Sequence, residues 1–122
     1  MNIILLGATG GIGECLTNEL SKNNNLYLSS RTDEKLNVIL NKYNKSNVNG
    51  EILTYSNFES VELFLNNANN HLGSVDCIIN CIGSLMLKPP HLTKEAELEN
   101  VFKTNVFSCF SILKHSFKFL KQ

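Results

Sequence analysis

Short apolar runs alternate along this chain with longer segments in which apolar residues recur every three or four positions. The short runs are typical of buried strands, and the longer spacing is typical of amphipathic helices. We predict strands at residues 2–6, 26–28, 51–55 and 75–81, each followed by a helix. This alternation indicates βαβ units, whose crossover helices cover both faces of a parallel sheet.

Polar residues and glycine mark the ends of the predicted helices. Thr32 offers an N-cap hydroxyl for the second helix, and Ser56 has capping-box spacing ahead of the third. Gly73 predicts the end of the third helix, because glycine readily adopts the left-handed conformation that stops a helix. The fourth helix is predicted from Thr93 to about Leu120. Its apolar residues lie along one side: Leu98, Phe102, Val106, Cys109, Leu113, Phe117 and Leu120.

The expected fold class is α/β, a Rossmann-type three-layer αβα arrangement around a partial doubly wound parallel sheet with strand order 3-2-1-4. Only Asp76 and Asn80 interrupt the fourth apolar run, which suits an interior strand of a parallel sheet. The chain has 122 residues, of which 43% are hydrophobic. We therefore expect residues 1–122 to form a single domain around one core.

Composition excludes several classes of function. The 11 basic residues balance the 11 acidic ones, so the chain lacks the positive excess that nucleic-acid binding requires. The four cysteines form no C-x-x-C pair and the three histidines stand far apart, so we expect no metal site. Cys77 and Cys81 lie in one apolar run as small hydrophobes, which indicates a reducing, cytoplasmic compartment. The first apolar run is too short for a signal segment or membrane span.

A glycine-rich loop, residues 7–13, joins the first strand to the first helix. Glycine has no Cβ, so it can adopt positive φ and let backbone N–H groups approach a pyrophosphate, which the helix dipole also stabilises. The loop therefore predicts a dinucleotide-binding site. The residues expected to hold the phosphates are Gly7, Thr9, Gly10, Gly11, Ile12 and Gly13.

The end of the second strand bears on which dinucleotide binds. An acidic residue about 20 positions beyond the loop would bind the ribose 2′-hydroxyl of NAD and repel the 2′-phosphate of NADP. Here the strand ends in Ser30 and Arg31 with no acid, and Arg31 could pair bidentately with a phosphate. Ser30 and Arg31 are expected to contact the cofactor, with NADP(H) favoured over NAD(H). If the second strand ended later, Asp33 would be the acidic residue at its end, and NAD would remain a candidate cofactor.

Three segments carry a resemblance to short-chain dehydrogenases/reductases. Residues 7–13 resemble the T-G-x-x-x-G-x-G loop of that family, with Leu6 standing where a threonine is usual. Residues 80–83, Asn-Cys-Ile-Gly, resemble the N-N-A-G segment, which in the family steadies the sheet and lines the cofactor ribose. Asn105 matches the helix asparagine of the Asn-Ser-Tyr-Lys tetrad, which holds a water in a proton relay.

The resemblance implies roles for particular residues. Asn80, Ile82 and Gly83 would lie along the cofactor, and Asn105 would be a catalytic residue. Thr54 stands where many members have an aspartate that binds the adenine amine, so adenine would be bound by Thr54, Tyr55 and backbone groups. The implied activity is hydride transfer between the nicotinamide of NAD(P) and the carbonyl or alcohol of a small-molecule substrate.

The tetrad is incomplete in this sequence. Tyr27 is followed four residues later by Arg31, Tyr43 by Asn47, and Tyr55 by Glu59, so there is no Tyr-x-x-x-Lys. The resemblance covers the whole chain but only the first half of the family's length. We therefore expect the N-terminal half of such an enzyme, truncated before the catalytic half and inactive alone, with its fourth strand left as an open edge.

Two other interpretations remain open. The chain could be a non-catalytic dinucleotide-binding or redox-sensing module, which the missing Tyr-x-x-x-Lys favours. It could also be an extended, epimerase-like member, because Gly7, Gly10 and Gly13 fit G-x-x-G-x-x-G. Short-chain dehydrogenases often pair through the long helix, so the resemblance also implies self-association into a homo-oligomer.

Overall fold

The computed structural model describes residues 1–43, 46–55 and 57–120. Strands and helices alternate along these residues. The strands are β1 (Asn2–Leu6), β2 (Asn25–Ser30), β3 (Val48–Ile52) and β4 (Cys77–Asn80). The helices are α1 (Gly11–Leu20), α2 (Asp33–Lys42), α3 (Phe58–Leu72), α4 (Glu95–Phe102) and α5 (Ser108–Ser116). A 3-10 turn spans Pro90–Leu92 and a π-helical turn spans Lys103–Phe107.

The four strands form one parallel sheet in the order β3-β2-β1-β4. Ile3 of β1 pairs with Leu26 of β2 on one side and with Cys77 of β4 on the other. Parallel neighbours need a crossover connection, and α1, α2 and α3 supply it. The predicted α/β fold of Rossmann type, with helices on both faces and strand order 3-2-1-4, is confirmed.

Two buried clusters lie on opposite faces of the sheet because side chains alternate along a strand. Ile4 and Leu6 of β1 point to the face covered by α3 and α5, whereas Ile3 and Leu5 point to the face covered by α2. The first cluster contains Ile4, Leu6, Tyr27, Leu53, Val61, Phe64, Leu65, Ala68, Val75 and Ile112. The second contains Ile3, Leu5, Ala8, Leu26, Leu28, Leu36, Ile39, Tyr43 and Val48.

Several predicted strand boundaries are wrong. The third strand was expected at residues 51–55 but is Val48–Ile52, because its register pairs Val48 with Leu26 of β2. The second strand extends from Asn25 to Ser30. The fourth is shorter than residues 75–81, and its side chains are half-buried or exposed because it lies at the sheet edge among the described strands. Among the described strands β4 is therefore an open edge, as predicted for this chain.

The helix ends were predicted more closely. Thr32 is the N-cap of α2 as predicted, although its side chain makes no capping bond. Helix α3 begins after Asn57, whose Oδ1 accepts from the Ser60 N–H at 2.9 Å. The predicted cap Ser56 lies outside the described residues. Gly73 has φ of 76° and ends α3 as predicted.

The fourth helix differs most from its prediction. It begins at Glu95 rather than Thr93, is interrupted by the π-helical turn, and ends at Ser116. Its apolar side is largely exposed: Phe102 is 51%, Leu113 65% and Phe117 74% exposed. Three serines and one isoleucine form the buried side of α5 instead, which packs against α3. They are Ser108, Ser111, Ile112 and Ser116.

Candidate functional site

The glycine-rich loop has two positions that admit no side chain. Gly7 has φ of +78°, and a Cβ there would lie 3.0 Å from the backbone carbonyl carbon and oxygen of Cys81. At Gly13 a Cβ would lie only 2.2 Å from the Gly7 carbonyl oxygen. The first turn of α1 therefore packs directly on the start of the loop. Glycine at these two positions is required by the loop's own backbone, before any ligand is considered.

The other two glycines of the loop are unconstrained. A Cβ on Gly10 would be 3.6 Å from its nearest neighbour, the Gly7 oxygen, and a Cβ on Gly11 would have nothing within 4 Å. Gly10 is the N-cap of α1, so this loop leads directly to the positive end of a helix dipole. The absent side chains leave space above the loop, which is the space an anion would need.

A cavity of about 260 Å³ opens beside the loop, at the carboxyl edge of the sheet. This edge lies where the chain order reverses between β1 and β4, the usual ligand position in a doubly wound sheet. The cavity is lined by Gly7, Thr9, Gly10, Ser30, Arg31, Thr32, Lys35, Tyr55, Cys81, Ile82, Gly83 and Thr104. The structure thus brings eight sequence-predicted residues together: Gly7, Thr9, Gly10, Ser30, Arg31, Tyr55, Ile82 and Gly83.

Six other predicted residues lie outside the lining: Gly11, Ile12, Gly13, Thr54, Asn80 and Asn105. Ile12 is 74% exposed on α1. Thr54 is exposed, and its carbonyl oxygen accepts from the Ser60 hydroxyl at 2.8 Å, so it helps to hold the start of α3. Gly13 packs against the start of the loop so closely that an added Cβ would lie 2.2 Å from the Gly7 carbonyl oxygen.

Two buried serines at the end of β2 hold the loop. The Ser29 hydroxyl oxygen accepts from the Gly7 N–H at 3.0 Å. The Ser30 hydroxyl donates to the Thr32 carbonyl at 3.1 Å and lies 3.4 Å from the Thr9 hydroxyl. The strand end therefore connects the loop to the N-terminus of α2. These bonds satisfy hydroxyl groups that would otherwise be costly to bury.

Cationic side chains dominate one end of the cavity. Arg31 and Lys35 both line it, and within the described part of the chain neither has a carboxylate within 4.0 Å. Asp33 begins α2, beyond the end of β2, and does not line the cavity. The carboxylate of Glu14, in the first turn of α1, forms an ion pair with Lys42. That pair offsets the negative charge that Glu14 would otherwise place near the loop.

Tyr55 forms a wall of the cavity. Its hydroxyl lies 3.5 Å from the Ser29 hydroxyl, and burial raises the pKa of its phenol. The ring therefore stays neutral at physiological pH. Tyr55 also borders a larger apolar cavity of about 690 Å³ between α3 and α4.

The end of β4 and the π-helical turn close the site. The Asn80 Oδ1 accepts from the Ile82 N–H at 3.0 Å, which turns the chain out of the sheet. The Asn105 Oδ1 accepts from the Ser84 N–H at 2.8 Å, and its Nδ2 donates to the Ser84 carbonyl at 2.8 Å. Asn105 thus fastens the helix to the loop after β4. It lies in a π-helical turn, an irregularity that is frequent at functional sites.

Sequence reasoning missed four residues that line the cavity: Thr32, which was predicted only as a helix cap, Lys35, Cys81 and Thr104. It also missed Ser29, which holds the loop. Lys35 follows Arg31 by four residues, and the predicted N-cap at Thr32 was a signal that both would lie near the same helix start. Burial raises the pKa of the Cys81 thiol, so it stays protonated and non-nucleophilic. Thr104 carried no such signal, because its position depends on the π-helical turn.

Two features are absent from the described residues. No cluster of three or more His, Cys, Asp or Glu side chains in the described ranges could hold a metal ion. Likewise, none of the helices described is long and apolar enough to cross a membrane.

The family profile described as short chain dehydrogenase matches residues 1–122. Two similar curated proteins are 3-oxoacyl-(acyl-carrier-protein) reductases FabG. That of Haemophilus influenzae is 26% identical and that of Buchnera aphidicola 30% identical, each over 91% of this chain and 46% of its own length. A solved actinorhodin polyketide ketoreductase with NADPH superimposes with a TM-score of 0.89 at 21% identity, over 95% of this chain and 46% of that one. The chain spans about half the length of the curated relatives it matches.

Proposed function

This chain belongs to the short-chain dehydrogenase family, and from that premise we propose that it is the dinucleotide-binding part of an NAD(P)-dependent oxidoreductase. The observation that carries the proposal is the loop, where the Gly7 and Gly13 backbones touch and an open space is left above Gly10. When bound, the nicotinamide would exchange a hydride with a carbonyl or alcohol group of a small-molecule substrate.

The residues present fit a dinucleotide. Gly7, Thr9 and Gly10 would hold the pyrophosphate, because they line the cavity at the positive end of the α1 dipole. Ile82 and Gly83, after β4, would lie along the ribose. Gly11, Ile12 and Gly13 would act through the shape of the loop and the start of α1 rather than from the cavity wall.

The adenosine end would lie toward Ser30, Arg31 and Tyr55 in this proposal. NADP(H) is favoured over NAD(H) because the two cations Arg31 and Lys35 line the cavity and Asp33 does not. A 2′-phosphate would pair with them, whereas a 2′-hydroxyl would gain little. Thr54 lies outside the cavity lining and its carbonyl accepts from Ser60, so it would support the adenine end by holding the start of α3 rather than by direct contact.

Asn105 is proposed as the one catalytic residue carried by this chain, as a member of the family's tetrad. The alternative, a binding or redox-sensing module without catalysis, is favoured by one observation. Both ends of the Asn105 amide are hydrogen-bonded to the Ser84 backbone. A structural role, holding the helix against the loop after β4, therefore explains the side chain without any catalytic role. The two proposals differ in whether the whole native protein isolated from its source oxidises NADPH in dependence on a carbonyl substrate, which an absorbance assay at the nicotinamide band would decide.

Cofactor binding is tested by titrating the full chain with NADPH and NADH and following nicotinamide fluorescence. Gly10→Val adds a side chain at the N-cap of α1, whose extended φ of -82° and ψ of 166° valine can adopt. We expect it to weaken NADPH binding at least tenfold, or about 1.4 kcal/mol. Asn18→Val places the same side chain on α1 outside the cavity and should bind normally. Equal affinity of all three folded proteins would contradict the proposal.

We also propose that the chain self-associates through the exposed side of α4, the π-helical turn and α5. Exposed apolar surface of this extent is typical of protein contacts. Glu99 near the start of this surface and Lys103 and Lys114 farther along are exposed. In the proposed dimer the two-fold axis is perpendicular to the helices, so they run antiparallel and the acidic end of one copy meets the basic end of the other.

A further inference from the structure

The end of β2 contains a fully buried hydroxyl, that of Ser29, directly after three buried apolar residues. Ser29 is 0% exposed and follows Leu26, Tyr27 and Leu28, which are buried apolar residues. A buried hydroxyl lowers stability unless it is hydrogen-bonded. The bonds that Ser29 makes therefore explain why the strand carries serine at this position.

Ser29 forms hydrogen bonds to the glycine-rich loop, residues 7–13, through both its side chain and its backbone; we call this segment the phosphate loop. Its Oγ accepts from the Gly7 N–H at 3.0 Å, and its carbonyl oxygen accepts from the Ala8 N–H at 3.0 Å. The β1 ladder ends at Leu6, whose partner is Asn80, so the Gly7 N–H has left the sheet. At φ of +78° Gly7 turns sharply, and the Ser29 hydroxyl gives its partly buried N–H an acceptor.

The Ser29 hydroxyl is needed at Gly7 because Leu6, the residue before Gly7, has no hydroxyl. Leu6 stands where the family's loop usually carries threonine, and its side chain is buried in the core with Ile4 and Tyr27. Ser29 has a second polar neighbour, Tyr55. The Tyr55 hydroxyl lies 3.5 Å from the Ser29 Oγ, which is longer than a usual O–H···O bond. The loop is therefore fixed at its entry by Ser29 and only weakly linked to Tyr55.

We propose that Ser29 is a positioning residue that holds the phosphate loop in its dinucleotide-binding conformation by accepting from the Gly7 N–H. The proposal rests on the proposed function only where it refers to the dinucleotide. The bond to Gly7 exists without a ligand. It can therefore be tested separately from cofactor binding.

The first test is amide hydrogen exchange of the full chain without ligand, read at Gly7 by NMR. Ser29→Ala should speed exchange of the Gly7 amide roughly fivefold to tenfold, as expected for loss of one buried hydrogen bond. Ser21→Ala is the matched control, since Ser21 is also buried but its hydroxyl contacts Asn18 at the far end of α1. The control should leave Gly7 unchanged. Unchanged exchange at Gly7 in folded Ser29→Ala overturns the proposal.

The second test compares two ligands. Ser29→Ala should weaken NADPH roughly tenfold, because the pyrophosphate needs the loop, and should leave 2′-AMP binding unchanged, because that ligand has no pyrophosphate. An equal loss of affinity for NADPH and 2′-AMP would indicate general destabilisation. Unchanged NADPH affinity would mean that the loop needs no anchor. Either result overturns the proposal. If the wild-type chain binds neither NADPH nor NADH, the proposed function fails, and exchange at Gly7 alone decides the role of Ser29.

Tyr55→Phe provides a second variant that keeps the core filled. It removes the 3.5 Å contact but leaves the Gly7 bond, so Gly7 exchange should rise less than threefold. Added to Ser29→Ala, it should produce no further rise, because the anchoring bond is already gone. A Tyr55→Phe effect as large as that of Ser29→Ala would overturn the assignment of the anchor to Ser29.

Discussion

The loop edge of the sheet, residues 6–35, and the helical segment, residues 95–116, are built in opposite ways. At the loop edge two glycines touch, two buried serines hold the backbone, and nearly every apolar side chain is covered. In the helical segment large apolar side chains such as Leu113 are exposed, and small serines such as Ser111 face α3. The first region is determined by short-range backbone constraints, whereas the second depends on what packs against it.

Gly13→Ala is the substitution that we expect to destabilise the loop edge of the sheet most. Its Cβ would meet the Gly7 carbonyl oxygen at 2.2 Å, so the loop or the start of α1 must move. We expect the free energy of unfolding to fall by more than about 3 kcal/mol, measured by urea denaturation. Gly11→Ala, whose Cβ meets nothing within 4 Å, should be neutral or stabilise the helix by up to about 1 kcal/mol. Similar stability of the two variants would show that the contact is not rigid.

A pair of leucine truncations compares the two regions directly. Leu65→Ala removes a fully buried side chain of α3 and should lower the free energy of unfolding by about 2–5 kcal/mol. Leu113→Ala truncates a leucine of α5 that is 65% exposed and should cost less than about 0.5 kcal/mol. The measurement is urea denaturation at low protein concentration. A large cost for Leu113→Ala would mean that this side chain is buried in solution.

Arg31→Ala tests the charge at the loop edge. The lost charged hydrogen bond should weaken NADPH binding by about 1.5–3 kcal/mol and leave NADH nearly unchanged. Lys35→Ala should shift binding in the same direction by less, because lysine cannot bind a phosphate bidentately. Fluorescence titration of both cofactors gives the ratio. Equal losses for NADPH and NADH would remove the case for NADP preference.

Sequence reasoning succeeded where neighbours along the chain decide the structure. The alternation of strands and helices, the Gly73 stop and the position of the loop follow from local patterns. The strand order was expected from the usual order of doubly wound sheets. The register of β3 could not be predicted in this way. This strand begins at Val48 because Val48 pairs with Leu26, a contact that no local pattern reveals. The polar run before Glu51 concealed this, since half of an edge strand can be polar.

The site shows the same division. The loop glycines were found because their spacing reflects backbone geometry, but Thr54 and Asn105 were expected in the cofactor site and lie outside the cavity lining. Lys35 and Ser29 were missed because their roles depend on where two elements meet. The predicted apolar side of the last helix is exposed before the π-helical turn, at Leu98 and Phe102, as well as after it, at Leu113. An apolar period identifies one side of a helix but does not show whether another element covers that side.

Charge reversal at the helical segment gives the smallest expected effect and tests its proposed self-association. Glu99→Lys should place like charges together across the two-fold axis and weaken the dimer roughly threefold to tenfold, since exposed pairs contribute little each. Sedimentation velocity over a concentration series measures this, and raised salt should diminish the difference. The double variant Glu99→Lys with Lys103→Glu should restore association, because the two sites exchange charges across the axis. Failure to restore it would mean that these residues do not pair, and a wild-type chain that stays monomeric would exclude the interface.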